Sequence, residues 1–270
     1  MATYIITGGS TGIGAATQAR LQGLGHHTVN LDIRDGDYLV DLSNPEQTEA
    51  VLGEIAAAHP SVDGIVTCAG VASHFPDKQK ILGINFWGTV KVIQTLRPNL
   101  SAGARVVAIS SNSAPQCSDS ALIDAMLADD RDAAMTLAEQ ASGHDCYAGS
   151  KQAIARWVRQ VAPDFARSGI AINAIAPGYI ETPMTQAVAN SDEYSDAIKQ
   201  FVASIPMGRP GVPDDIAALI AQKGFGDLEA PVELVTAPHT PVPFNGALED
   251  LYIPNPAKIE AAVRKTVEYA

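Results

Sequence analysis

The sequence predicts an α/β fold: a single doubly wound (Rossmann) parallel sheet with helices on both faces. Three observations predict it. Short apolar, β-branched runs alternate with longer segments whose apolar residues recur at helical spacing. Those runs are continuously apolar, as strands covered on both faces must be. The first of them opens straight into a glycine turn and a helix start, Thr7-Gly8-Gly9-Ser10-Thr11-Gly12-Ile13-Gly14.

In chain order, residues 4–7 read as the first strand and 15–24 as the first helix, closed by Gly25 at a position that favours a left-handed residue. Residues 28–32 form the second strand, 45–58 a helix and 64–67 a third strand. A helix follows over 86–96, then strands over 105–110 and 170–175, and a helix around 214–221. Two stretches break this rhythm. Between Ser111 and Tyr147 the segment 112–146 is rich in Ala, Asp, Leu and Met, and Leu122, Met126, Leu127, Met135 and Leu137 mark one or two inserted amphipathic helices. From Gly224 onward Pro becomes frequent, and the chain closes on a helix over 256–268. The expected organisation is a domain over 1–223, with the insertion at 112–146, and an atypical extension over 224–270 packed on the sheet edge.

The bulk composition narrows the function classes. The chain has 270 residues and a formal net charge of −12, which argues against nucleic acid or an anionic membrane surface as partner. No apolar run approaches the roughly 20 residues of a membrane helix, and no basic segment precedes an apolar stretch. Cys68, Cys117 and Cys146 lack metal-ligand spacing and read as free thiols. A cytoplasmic protein with no metal is expected.

Gly8, Gly12 and Gly14 let the backbone turn tightly beneath a pyrophosphate, while the helix behind them aims its N–H groups and positive dipole end at it. Taken alone, an ordinary glycine turn explains the same residues. Asp32 ends the second strand, where a carboxylate accepts from adenosine ribose hydroxyls and repels a 2′-phosphate, so NAD is favoured over NADP. Arg34 weakens that preference, and a turn role for Asp32 is the plainer alternative. Asp41 and Leu42 are placed to meet the adenine, and Cys68-Ala69-Gly70 would let the backbone pass close to the cofactor.

Tyr147 and Lys151 lie one helical turn apart. A phenol is a poor proton donor near neutral pH, and an adjacent cation makes it more acidic. Ser111, at the end of the 105–110 strand, is placed to donate to a substrate oxygen. Asn85 is placed to anchor a water that relays protons from Lys151. Surface packing and turn chemistry explain each residue singly; their order after a cofactor-type start points to carbonyl/alcohol oxidoreduction. Trp87, Met184 and Phe201 are candidates for an apolar pocket, with core or lid packing the alternative.

Over residues 1–222 the chain resembles the short-chain dehydrogenase/reductase family. The likeness rests on Thr7-Gly8-x-x-x-Gly12-Ile13-Gly14, Asp32, Asp41, Cys68-Ala69-Gly70, Asn85, Ser111, Tyr147-x-x-x-Lys151 and Pro177-Gly178. It implies a catalytic tetrad of Asn85, Ser111, Tyr147 and Lys151. It further implies that Ser10, Thr11, Ile13, Ile33, Pro177 and Gly178 join the cofactor site, and that Ile180 and Thr182 hold the nicotinamide amide. The segment after Pro183, to about Met207, resembles the family's substrate lid. Asp32-Ile33-Arg34-Asp35, Tyr147-Ala148-Gly149-Ser150-Lys151 and the long insertion are similar to the bacterial hydroxysteroid dehydrogenase/carbonyl reductase branch, where the insertion shapes subunit contact. A small apolar carbonyl or alcohol is the implied substrate class, possible hydroxysteroids included, and the expected assembly is a homodimer, with a tetramer as alternative.

The tail departs from that family. Leu228-Glu229-Ala230-Pro231-Val232-Glu233-Leu234-Val235-Thr236 and Pro238-His239-Thr240-Pro241-Val242-Pro243-Phe244 resemble the C-terminus of β-subunits of thiamine-dependent 2-oxoacid dehydrogenases. Residues 232–236 are expected to replace the family's last strand at the sheet edge. No thiamine site accompanies them, so no thiamine chemistry is expected. A competing reading is an NAD-binding protein with little turnover that acts through its tail as an interaction module.

Overall fold

The computed structural model describes residues 1–189, 195–205 and 208–221. The chain divides into two compact units, Met1–Phe225 and Gly226–Ala270. The second unit, with the expected strand at 232–236 and helix at 256–268, lies outside the described residues.

Six strands form one parallel sheet in the order β3-β2-β1-β4-β5-β6. They are β1 (Thr3–Thr7), β2 (His27–Asp32), β3 (Tyr38–Leu39), β4 (Val62–Thr67), β5 (Leu100–Ile109) and β6 (Ala171–Ile175). Strand order reverses at β1: the chain first builds outward to β3, then returns to lay β4 on the other side of β1. A crevice therefore opens at the carboxyl ends of β1 and β4, where open α/β sheets hold their ligands. Side chains alternate across the pleat. Ile5, Val29, Leu31, Ile65, Val106 and Ala108 enter one core cluster, while Tyr4, Ile6, Val66, Val107 and Ile109 enter the other.

Around the sheet pack α1 (Gly12–Gly23), α2 (Pro45–Ala58), α3 (Lys78–Leu82), α4 (Thr89–Leu96), α5 (Ser120–Leu127), α6 (Arg131–Gln140), α7 (Gly143–Arg167), α8 (Pro183–Ala189), α9 (Ser195–Ala203) and α10 (Pro213–Leu219). Their starts follow from local chemistry. Asn44, Asp119 and Asp130 cap α2, α5 and α6 by accepting from the amides of Gln47, Leu122 and Ala133. Ser142 caps α7 by accepting from the Asp145 amide at 2.9 Å, and its own hydroxyl donates to the Asp145 carboxylate at 2.6 Å. That doubly bonded first turn fixes the phase of α7, and so where Tyr147 and Lys151 point.

Two features depart from the sequence reading. The helix expected over 86–96 starts inside a π-helical turn, Gly83–Gly88, and continues as α4, with α3 running into the turn from before. β3 was absent from it because Asp35-Gly36-Asp37 reads as a turn that ends the strand signal. The insertion forms two helices, α5 and α6, the upper of the two numbers expected. Among the described residues, no helix is long and apolar enough to cross a membrane.

Candidate active site

The floor of the crevice is the turn after β1. Gly8 (φ 70°) and Gly12 (φ 56°) occupy the left-handed region that a Cβ disfavours. A Cβ on Gly8 would stand 2.7 Å from the Ala69 backbone, and one on Gly12 would stand 3.2 Å from the Thr182 methyl. Gly14 seats α1 on the turn, since a Cβ there would drive into the Gly8 carbonyl. Gly14→Ala is therefore expected to lower stability by about 1–3 kcal/mol, as overpacked sites do. Thermal melting checks this; an unchanged melting temperature would show that the turn has room. Thr11 precedes α1 without a side-chain cap, and the helix has no acidic residue in its first turn. Its leading amides are left for an anion.

The second wall comes from β2 and β4. Asp32 accepts from the Ser10 amide and the Arg34 amide, both at 3.2 Å, so one carboxylate organises both loops. Ile33 beside it is exposed. Asn30, absent from the sequence reading, accepts from the Gly9 amide at 2.8 Å and donates to Ser10 Oγ at 3.2 Å. Ala69 N–H donates to Thr7 Oγ1 at 3.1 Å, tying the 68–70 loop to β1. Asp41 is held by local partners: Oδ1 accepts from Ser43 N–H at 2.9 Å and Ser43 Oγ at 2.6 Å, and Oδ2 meets Lys80 at 3.4 Å. Burial works against ionisation of Asp41, but Ser43 and Lys80 together hold its carboxyl below the usual range. Leu42 is buried, with its Cβ packed on Gly88.

The third wall carries the reactive groups. Ser111, just past the carboxyl end of β5, lies near enough to the Tyr147 phenol to favour its ionisation, and shares a 2.9 Å contact with Ser113 Oγ. Lys151 is buried and donates to the Ile109 carbonyl at 2.8 Å. Gly70 lies between Asn85 and Lys151: a Cβ there would stand 3.0 Å from Asn85 Oδ1 and 3.5 Å from Lys151 Nζ. Asn85 Nδ2 donates to the Val71 carbonyl (3.0 Å) and Ser150 Oγ (3.2 Å), and its Oδ1 accepts from Val71 N–H (2.9 Å). These bonds tie Asn85 to the 68–71 loop and to α7. Ser150 and Ser113 were also missed, and only their adjacency to Lys151 and Ser111 in the sequence pointed to them.

The electrostatics differ from the expected acidification of Tyr147 by Lys151. Burial pushes the Tyr147 phenol above its ordinary value, and the Ser111 hydroxyl partly offsets this. Burial also lowers the Lys151 amine to about 8, with the neighbouring Cys68 opposing. The Cys68 thiol is pushed by burial up to about 12, against the pull of Lys151. The ammonium points at a backbone carbonyl, so burial governs both groups.

The last wall follows β6. The Pro177 carbonyl accepts from Asn112 N–H at 2.9 Å, which draws Pro177 and Gly178 against β5. Ile180 and Thr182 are buried, and Thr185 Oγ1 donates to the Ile180 carbonyl at 2.6 Å. A cavity of about 350 Å³ nearby is lined by residues including Tyr179, Ile180, Phe201, Ile205 and Arg209. Phe201 thus borders a pocket. Trp87 does not join it but lines a second cavity, of about 340 Å³, with Phe86, Met126 and Trp157, and its indole donates to Asp129. Among the described residues, no cluster of His, Cys, Asp and Glu could hold a metal.

Comparison with known proteins accords with this geometry. A family model described as short chain dehydrogenase matches residues 2–121, and one described as enoyl-(acyl carrier protein) reductase matches 133–222. The 3-alpha-hydroxysteroid dehydrogenase/carbonyl reductase of Comamonas testosteroni is 35% identical over 229 residues, spanning 82% of this chain and 88% of that protein. The crystal structure of the 3-alpha-hydroxysteroid dehydrogenase from Pseudomonas sp. B-0831 complexed with NADH superposes with a TM-score of 0.77 at 32% identity, covering 81% of this chain and 88% of that one. The tail has a different affinity. A transketolase C-terminal domain model matches residues 206–259. The acetoin:2,6-dichlorophenolindophenol oxidoreductase subunit beta of Cupriavidus necator is 55% identical over 60 residues, 22% of this chain but only 18% of that protein.

Proposed function

The chain belongs to the short-chain dehydrogenase/reductase family, and on that premise we propose that it is an NAD(H)-dependent oxidoreductase interconverting a ketone and a secondary alcohol. One observation carries the reading: Ser111, Tyr147 and a buried Lys151 stand at the same carboxyl end of the sheet as a glycine cradle that a Cβ would fill. The residues present fit a dinucleotide. The uncapped start of α1 with Gly8, Ser10, Thr11, Gly12 and Ile13 would take the pyrophosphate, Asp32 and Ile33 the adenosine end, and Cys68, Ala69 and Gly70 the passage between. Pro177, Gly178, Ile180 and Thr182 would hold the nicotinamide end. Bound there, the nicotinamide would supply a hydride to the carbonyl carbon in reduction, or accept one from the carbinol carbon in oxidation.

The chain's own residues handle the proton. In the reducing direction Tyr147 donates its phenolic proton to the carbonyl oxygen as the carbon accepts the hydride. Burial suits that role, because it keeps the phenol protonated until the substrate calls for the proton. Ser111 donates to the same oxygen and holds it at the phenol. Lys151, titrating near neutrality, is placed to pass a proton onward when Tyr147 must be recharged. Asn85 keeps the 68–71 loop against α7, and Asp41 with Leu42 shapes the adenine side. The favoured direction is reduction, and the favoured substrates are apolar ketones, steroid ketones included.

A panel of steroid ketones, quinones and small aliphatic ketones, with NADH oxidation followed by absorbance, tests this. Turnover on at least one is expected; none on any, with NADH still bound, would favour the binding-protein reading. Cofactor choice is a second test. Asp32→Asn removes the charge that repels a 2′-phosphate. It is expected to shift the NADH:NADPH ratio of kcat/KM about 10–100-fold toward NADPH, the size of one charged hydrogen bond. An unchanged ratio would take Asp32 out of the cofactor site.

A further inference from the structure

The catalytic reading above assigns no work to the insertion. We propose that α5 and α6 act as a clamp on the segment that carries Asn85, with Trp87 and Lys78 as its positioning residues. The inference rests on that reading of the site. Asn85 lies within the π-helical turn Gly83–Gly88, a rare form that occurs as single turns within helices and is frequent at functional sites. Such a turn needs outside support to hold its register. The insertion supplies it on both sides of Asn85.

On the side before it, Lys78 of α3 donates to the last carbonyls of the α6 region, Glu139 and Ala141, each at 2.8 Å. Gln79 adds a bond to the Glu139 carboxylate at 3.0 Å. On the side after it, Trp87 Nε1 donates to Asp129 Oδ1 at 2.9 Å, and the Arg131 guanidinium lies 5.1 Å over the same ring. Asp129 has φ 58°, the only left-handed non-glycine among the described residues. Glycine or asparagine suits that position better, and a carboxylate at the end of α5 opposes the helix dipole. Both penalties are explained if the side chain is there to hold Trp87. Asn85 then faces the opposite demand, bonding Val71 and Ser150. The turn is gripped between insertion and active site, and a shift of Trp87 is passed to Asn85 two residues away.

The test compares variants of the full chain, with NADH and cyclohexanone as the probe pair, well below the melting temperature. Trp87→Phe removes the indole donor and keeps an aromatic ring; kcat is expected to fall on the order of tenfold, since small misplacements at a distance carry such effects. KM for NADH should stay put. Lys78→Met should show the same split from the other side. Trp157→Phe controls for stability: Trp157 is equally buried on α7 but outside the π-turn, so its kcat should hold even if melting falls. Asp129→Asn keeps an acceptor oxygen and should also keep kcat. An unaltered kcat in Trp87→Phe, or an equal loss in Trp157→Phe, would overturn the clamp. An active Tyr147→Phe would instead bring down the catalytic reading beneath it.

Discussion

Tyr147→Phe is expected to lower kcat by about 10²–10⁴-fold, the usual contribution of a general acid, while NADH still binds. The substitution removes one oxygen. The half-buried ring stays in place on α7, whose cap at Ser142 lies a turn away and is untouched. What disappears is the proton that the ketone oxygen needs and the partner of Ser111. KM should change little, because the ring still shapes the cleft and only an interaction made in the transition state is lost. The measurement is steady-state turnover beside an NADH titration by fluorescence. Retained turnover would assign the proton to another group. Lost NADH binding would make Tyr147 a cofactor contact first. The raised phenol adds a corollary: with burial holding the proton on, reduction should outlast oxidation as pH falls toward neutrality.

Local signals made the frame of this site legible. Continuous apolar runs located five of the six strands, and apolar spacing located α2 with its exact bounds, 45–58. The glycine pattern announced a turn that the left-handed φ values of Gly8 and Gly12 then require. Ser111, Tyr147 and Lys151 fell together because strand β5 ends where helix α7 begins, at the carboxyl end of the sheet, which the alternation of elements already implies. What stayed hidden depends on register or on distant partners. The π-turn has the same apolar spacing as an α-helix, so periodicity over 86–96 does not separate them. Asn85 was singled out, yet its partners Val71 and Ser150 lie far along the chain, and no spacing rule joins them. Asp41 reads as an exposed acid at a strand end; only the fold brings Lys80 to it. The burial that sets Lys151 and Tyr147 is likewise a property of the assembled core, while their spacing suggests a simple ion-pair logic.

Lys151→Met should inactivate the protein and stabilise it at once. The amine is buried, and its ordinary value of 10.5 is brought down to about 8. A drop of that size corresponds to about 3 kcal/mol of disfavoured charge at neutral pH. The bond to the Ile109 carbonyl opposes the change by about 1 kcal/mol. A net gain of about 1–2 kcal/mol remains, or a melting temperature higher by several degrees. The sign follows from proton counting. Between about 8 and 10.5 the unfolded chain binds the proton that the folded lysine has released, so wild-type stability rises with pH through that window. The advantage of Lys151→Met should therefore be full below pH 8 and fade toward 10.5. Tyr147 acts oppositely above its ordinary 10, where the unfolded phenol ionises first, so the comparison belongs below that point. Melting curves of both proteins at several pH values decide it. A variant less stable than wild type at neutral pH would show that the amine is at ease where it lies, and that its place beside Tyr147 and Asn85 exacts nothing from the fold.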